Sequence, residues 1–151
     1  MTQYVHTLVI STRNVLNELG IETSNLFFIK EENVEQFDVA VIIGLAGGLR
    51  GSLAFILDED AAISIASIMT SEELRTLNDV VKSTLCELAN MFAGAFISNL
   101  HFKVEITPPT LVIGKDIKLQ QYMNDSVYRV VIPSKRGHLN LSLGLEIKGG
   151  N

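Results

Sequence analysis

Ser83, Glu87 and Asn90 stand at i, i+4 and i+7, and Gly94 follows four residues later. On a helix that spacing places a hydroxyl, a carboxylate, an amide and a bare backbone position along one stripe. A carboxylate can pair with a cation, while an amide donates and accepts at once and can hold a water molecule in line with an electrophile. This set is suited to docking and positioning, not to covalent attack. Two of its members are weak helix formers: Gly94 costs about 1 kcal/mol relative to Ala in an exposed helix interior, and the Asn90 amide competes for nearby backbone groups. Their presence on one stripe points to a surface shaped for contact. Asp79 and Ser98 extend it.

The helix that must carry these residues is legible from its opposite face. Leu74, Leu77, Val81, Leu85, Leu88, Phe92 and Phe96 step by three and four, which predicts an amphipathic helix over residues 72–100 with that seam in the core. Thr70 with Glu73 predicts a capping box at its start. A first helix is expected over residues 3–19, with Tyr4, Val5, Leu8, Val15, Leu16 and Leu19 inward and Gly20 as its stop. A short strand over 25–29 follows, then an acidic linker with Glu31, Glu32 and Glu35. A hairpin with arms 38–45 and 52–57 turns at Gly47-Gly48-Leu49-Arg50-Gly51. A short helix capped within 58–60 ends near Met69. After Leu100, Pro108-Pro109 excludes helix and starts a strand to Gly114. The last hairpin has arms 127–132 and 139–145, where Leu139, Leu141, Leu143 and Leu145 alternate with Asn140, Ser142 and Gly144, predicting one buried and one polar sheet face.

The two halves repeat one order: helix, short strand, connecting loop, hairpin. The second arm of each hairpin opens with the same pattern, Arg50-Gly51-Ser52-Leu53 and Arg136-Gly137-His138-Leu139. Matching Thr23 to Thr107 sets Gln3 and His6 opposite Glu87 and Asn90, so only the second copy holds the carboxylate and amide. The expected fold is α+β: internally duplicated helix-strand-hairpin units forming a β-sheet packed with two long helices and one short helix. Residues 1–148 are read as one domain and 149–151 as a C-terminal tail.

Composition narrows the function classes. A chain of 151 residues with 47% hydrophobic content can bury one sizeable core, and a net charge of −5 without a basic run argues against a nucleic-acid or anionic-membrane surface. No segment is read as spanning a bilayer or as a leader, so a cytoplasmic protein is expected. The single cysteine, Cys86, fits a reducing compartment and is read as structural. The glycines at 47, 48 and 51 lack the Lys-Ser or Lys-Thr that opens the helix of a phosphate loop, so they are read as a turn. His6, His101 and His138 have no metal-ligand spacing, and no nucleophile arrangement for covalent catalysis is found. No intrinsic metal or cofactor is expected.

The pattern Ser83-x-x-x-Glu87-x-x-Asn90 on a long helix, with a Gly-rich hairpin before it and prolines after it, resembles the CheC, CheX and FliY family of chemotaxis phosphatases. The layout is similar along the whole chain, and the single signature is CheX-like. The resemblance implies a phosphatase acting on the phospho-aspartate of a CheY-type receiver domain, with Glu87 and Asn90 as the working pair. It also implies a homodimer, and Mg²⁺ carried by the receiver and not by this chain. Asn90 would orient the attacking water, Glu87 would dock against a receiver lysine, and Ser83, Gly94 and Asp79 would line the contact. The segment from Asn90 to Pro109 is shorter than the family pattern, which leaves Pro109 with a structural role as a helix terminator. The alternative reading is a non-catalytic module that docks a receiver or a flagellar-switch component.

Overall fold

The computed structural model describes residues 2–21, 25–30, 35–119, 127–134, 137 and 139–146. Thr23, Glu31, Glu32, Arg136, His138 and the tail 149–151 lie outside them, as does the side chain of Glu35. Three helices, α1 (Thr2–Glu18), α2 (Glu59–Thr70) and α3 (Asp79–Ser98), accompany seven strands. These are β1 (Phe27–Lys30), β2 (Glu35–Gly47), β3 (Arg50–Leu57), β4 (Val104–Ile106), β5 (Thr110–Leu119), β6 (Val127–Ile132) and β7 (Leu139–Glu146). They form one sheet in the order β1-β6-β7-β3-β2-β4, with β5 also on the outer edge of β2 and every pairing antiparallel.

That order is what a duplicated chain produces. Exchanging β1 with β5, β2 with β6 and β3 with β7 leaves β1-β6-β7-β3-β2-β5 unchanged when read from the other end. The sequence motif sets the offset between the two second arms at 136 − 50 = 86, and Phe55 faces Leu141 in the β3/β7 pair, also 86 apart. A pseudo-two-fold axis through that pair requires this equality. Gly51 and Gly137 share the same offset and both have positive φ, +155° and +108°. A Cβ on Gly51 would run into the Gly144 carbonyl, so the tight start of β3 admits no side chain.

All three helices pack on one face of the sheet. Val39, Val41, Ile43 and Leu45 of β2, Leu53, Phe55 and Leu57 of β3, and the odd-numbered leucines of β7 share a single core with Leu8 and Leu16 of α1, Ile65 of α2, and Leu85, Leu88, Phe92 and Phe96 of α3. Phe55 meets Phe92 edge to face at 5.2 Å. The other face is not simply polar, contrary to the alternation read from the last hairpin. Asn140 and Ser142 are buried, and Phe37, Ala40, Ala54 and Ile56 form a second apolar cluster there. The β2/β5 register shifts between Phe37 and Val39, where two steps along β2 stand against four along β5, and at this irregularity Phe37 joins the face of Ala40.

Further corrections concern α3 and its surroundings. It starts at Asp79, not near residue 72, with Asn78 as N-cap accepting from the Val81 amide at 3.0 Å. Thr70 makes no capping box with Glu73: it ends α2, its hydroxyl donating to the Ala66 carbonyl, and Ser71 at φ 55° turns the chain. The Leu74 amide then donates to Ser67 Oγ, which folds the linker back along α2 and leaves Leu74 and Leu77 packed on the core without helix. Strand β4 was not foreseen. It pairs with β2 at Leu45–Gly47, after which Thr107 bonds Gly44 in both directions and Pro108-Pro109 separates β4 from β5 on the sheet edge. Prolines are tolerated there because an edge strand has amides with no partner to lose. α3 is also long and apolar enough to meet the length-and-composition criterion for a membrane span, against the expectation that no stretch would. Its apolar residues instead form the seam buried in the core.

Candidate functional site

α3 presents two faces of opposite character. Val81, Leu85, Leu88, Ala89, Phe92, Ala93 and Phe96 are buried, while Asp79, Ser83, Glu87, Asn90 and Ser98 are exposed. The exposed set follows from helix geometry: at about 100° per residue, Ser83 and Gly94 fall within about 40° of Glu87 and Asn90 about 60° away. Asp79 lies on the Asn90 edge of the stripe, in the first turn, where a carboxylate complements the helix dipole. The spacing read from the sequence thus brings Ser83, Glu87, Asn90 and Gly94 together on one solvent-facing surface.

Among the described residues, neither the Glu87 carboxylate nor the Asn90 amide has a hydrogen-bond or ion-pair partner. Both are free for an outside group. A Cβ built on Gly94 would meet nothing within 4 Å, so internal packing does not require glycine there. Cys86 is half-buried beside the stripe, and burial pushes its thiol up from the ordinary value. A protonated thiol at neutral pH is a poor nucleophile. No group of three or more His, Cys, Asp or Glu among the described residues is placed to hold a metal ion.

The stripe lies apart from the groove beside α2. A groove of about 560 Å³ lies between α2 and the linker before α3, lined by Asp60, Ile63, Ser64, Ser67, Glu73, Leu74 and Arg75, and no stripe residue lines it. A site on a convex helix face is suited to entering a pocket on a macromolecule, not to enclosing a small ligand. Val80 is an apolar member of this face that the polar stripe read from the sequence does not include. It lies about 20° from Glu87 and is exposed.

The fold is that of chemotaxis proteins of known structure. Chemotaxis protein CheX from Vibrio vulnificus superposes with a TM-score of 0.84 at 26% identity, covering 95% of this chain and 99% of that one. A CheX-CheY-BeF3-Mg²⁺ complex from Borrelia burgdorferi superposes with a TM-score of 0.80 at 25% identity, covering 95% and 98%. The sequence model of the family described as "Chemotaxis phosphatase CheX" matches residues 39–134, and the chain belongs to that family. The CheY-P phosphatase CheX of Thermotoga maritima is 34% identical over 88 residues. That alignment spans 56% of this chain and 57% of the relative, so the chain spans little more than half the length of the curated relative it matches.

Proposed function

We propose that this protein is a phosphatase that removes the phosphoryl group from the aspartate of a CheY-type receiver domain, with Glu87 and Asn90 as its working pair. The observation that carries the reading is that a carboxylate and an amide, one turn apart on the exposed face of α3, have no partner among the described residues. Membership of a chemotaxis phosphatase family and the name of the Thermotoga relative, a CheY-P phosphatase, support the substrate class. The Borrelia complex supports it, since BeF3 and Mg²⁺ there stand for a phosphoryl group and its metal.

Hydrolysis of an aspartyl phosphate proceeds by in-line attack of water through a loose transition state, so positioning and charge compensation supply most of the acceleration. Asn90 enters the receiver's phosphoryl site, accepts from the water through its carbonyl and donates through its amide to a neighbouring oxygen. The Glu87 carboxylate pairs with a lysine beside that site and fixes the approach of the helix. Ser83 and Asp79 lie at the rim of the contact, and Gly94 leaves space for a receiver loop. Mg²⁺ belongs to the receiver, where it neutralises phosphoryl oxygens; this chain contributes no metal or cofactor of its own. The protein acts in the cytoplasm as a single domain over residues 1–148.

A homodimer forms part of the same reading. Strand β1 lies at one edge of the sheet and exposes Phe27 and Ile29, an edge that a second copy would cover. Light scattering at micromolar concentration is expected to give twice the 16.6 kDa chain mass; the mass of one chain would count against it.

The deciding experiment follows the decay of a phosphorylated receiver domain with Mg²⁺ present and the protein at one-tenth its concentration. Wild type is expected to clear the whole pool faster than spontaneous decay, and Asn90→Ala to leave decay at the spontaneous rate while keeping its fold. Unchanged decay with wild type, accompanied by binding, would make the chain a docking module.

A further inference from the structure

Among the described residues, seven large apolar side chains are exposed: Ile10, Phe27, Ile29, Ile68, Val80, Phe102 and Ile113. Of these only Val80 belongs to α3. It is 44% exposed and has no place in either apolar cluster, whereas Cys86, Met91, Ala95 and Ile97 of the same helix all pack against the core. Its position is the informative part. Seven residues before Glu87, it lies within about 20° of that residue around the helix and about 10 Å along it. The stripe otherwise offers Ser83, Glu87, Asn90, Gly94 and Ser98, all polar or bare.

We infer that Val80 is a docking residue for the receiver domain, an apolar contact that sets affinity while Asn90 sets the rate; this rests on the phosphatase reading above. The occupant is the apolar surface of the receiver flanking its phosphoryl site. Continuity with the chemistry is the ground for that choice. A receiver held by Glu87 and Asn90 lies over a contiguous stretch of α3, and about two further turns reach Val80. Polar groups that must enter another protein's site bring desolvation costs, and interfaces offset these with apolar anchors from which water is excluded. Valine suits such a contact because its β-branched side chain has little rotamer freedom to lose on docking. Its place in the first turn of the helix is also rigid, since Asn78 caps the backbone immediately before it.

The test separates affinity from rate. Val80→Ala and Val80→Thr are compared with wild type for KM and kcat on a phosphorylated receiver, with circular dichroism to confirm that each is folded. Truncation to Ala is expected to raise KM about three- to tenfold with kcat unchanged, from the apolar area lost to the contact. Thr keeps the shape but adds a hydroxyl, so a similar rise identifies the contact as apolar. Equal KM for wild type and both variants would overturn the inference. Should wild type fail to turn over at all, the phosphatase reading falls by itself. Binding to a receiver loaded with beryllofluoride and Mg²⁺ then decides the role of Val80: weaker binding of Val80→Ala supports it, and equal binding refutes it.

Discussion

α1 and α3 are the same element used twice, and they differ where nothing in the fold obliges them to. Ser11 and Ala95 are 84 positions apart, and the Ser11 hydroxyl lies 3.3 Å from the Ala95 carbonyl, as a pseudo-two-fold crossing of the two helices requires. The same offset pairs Val5 with Ala89, Leu8 with Phe92 and Val9 with Ala93, all buried. It also pairs Gln3 with Glu87, His6 with Asn90 and Ile10 with Gly94 on the outer faces. On α1, His6 is engaged by Phe28, whose ring it meets edge to face at 5.0 Å, and Ile10 stands 53% exposed where α3 has open space. On α3 the carboxylate and amide are free and the position beyond them is bare. Folding constrains the inner faces of both copies; three outer side chains are enough to make one copy a scaffold and the other a candidate site.

The comparison is broken most sharply by giving α3 the α1 residue. Asn90→His is expected to lower the acceleration of receiver dephosphorylation at least about a hundredfold, since loss of a positioned group in the transition state costs that much, while stability stays within about 0.5 kcal/mol, as for other surface changes. Retained turnover in single-turnover kinetics would place the chemistry elsewhere. Glu87→Gln, again toward α1, removes a charge-assisted contact of about 1.5–3 kcal/mol. It is therefore expected to raise KM by at least about tenfold and to weaken the dependence of KM on salt; an unchanged salt dependence would remove the proposed lysine pairing.

Gly94→Ala separates folding from docking. Its new Cβ meets nothing within 4 Å, so thermal unfolding should show a gain of about 1 kcal/mol. Receiver binding should weaken at the same time, by about threefold or more, because the space is filled; tighter binding would mean that the room has no use. Cys86→Ser should have the smallest effect. Burial holds the thiol protonated at neutral pH, so turnover measured from pH 6.5 to 8 should match wild type across the range. A pH-dependent loss on substitution would assign the thiol a role that its environment does not favour.

Much of this was open to inspection in the chain alone. The three-and-four stepping of Val81, Leu85, Leu88, Phe92 and Phe96 located the core face of α3, and that in turn located Glu87 and Asn90 on the outside. The Arg-Gly repeat exposed the duplication that the sheet order expresses. Local patterns failed where distant partners decided the outcome. Leu74 and Leu77 continue the helical stepping, yet the bond from Leu74 to Ser67 Oγ holds that segment on α2, and the cap belongs to Asn78. Asn140 and Ser142 alternate as a polar face should, yet both are buried.

The sequence by itself determined which residues are apolar at helical or strand spacing, which turns need glycine, and which polar side chains share a stripe, because these depend on backbone geometry over a few residues. Only the tertiary structure decided that β1 joins the second hairpin and β5 the first, that the far side of the sheet is closed by a second apolar cluster, and that the stripe of α3 remains uncovered. Those outcomes depend on which surfaces separated along the chain exclude water together, and no local spacing encodes that choice.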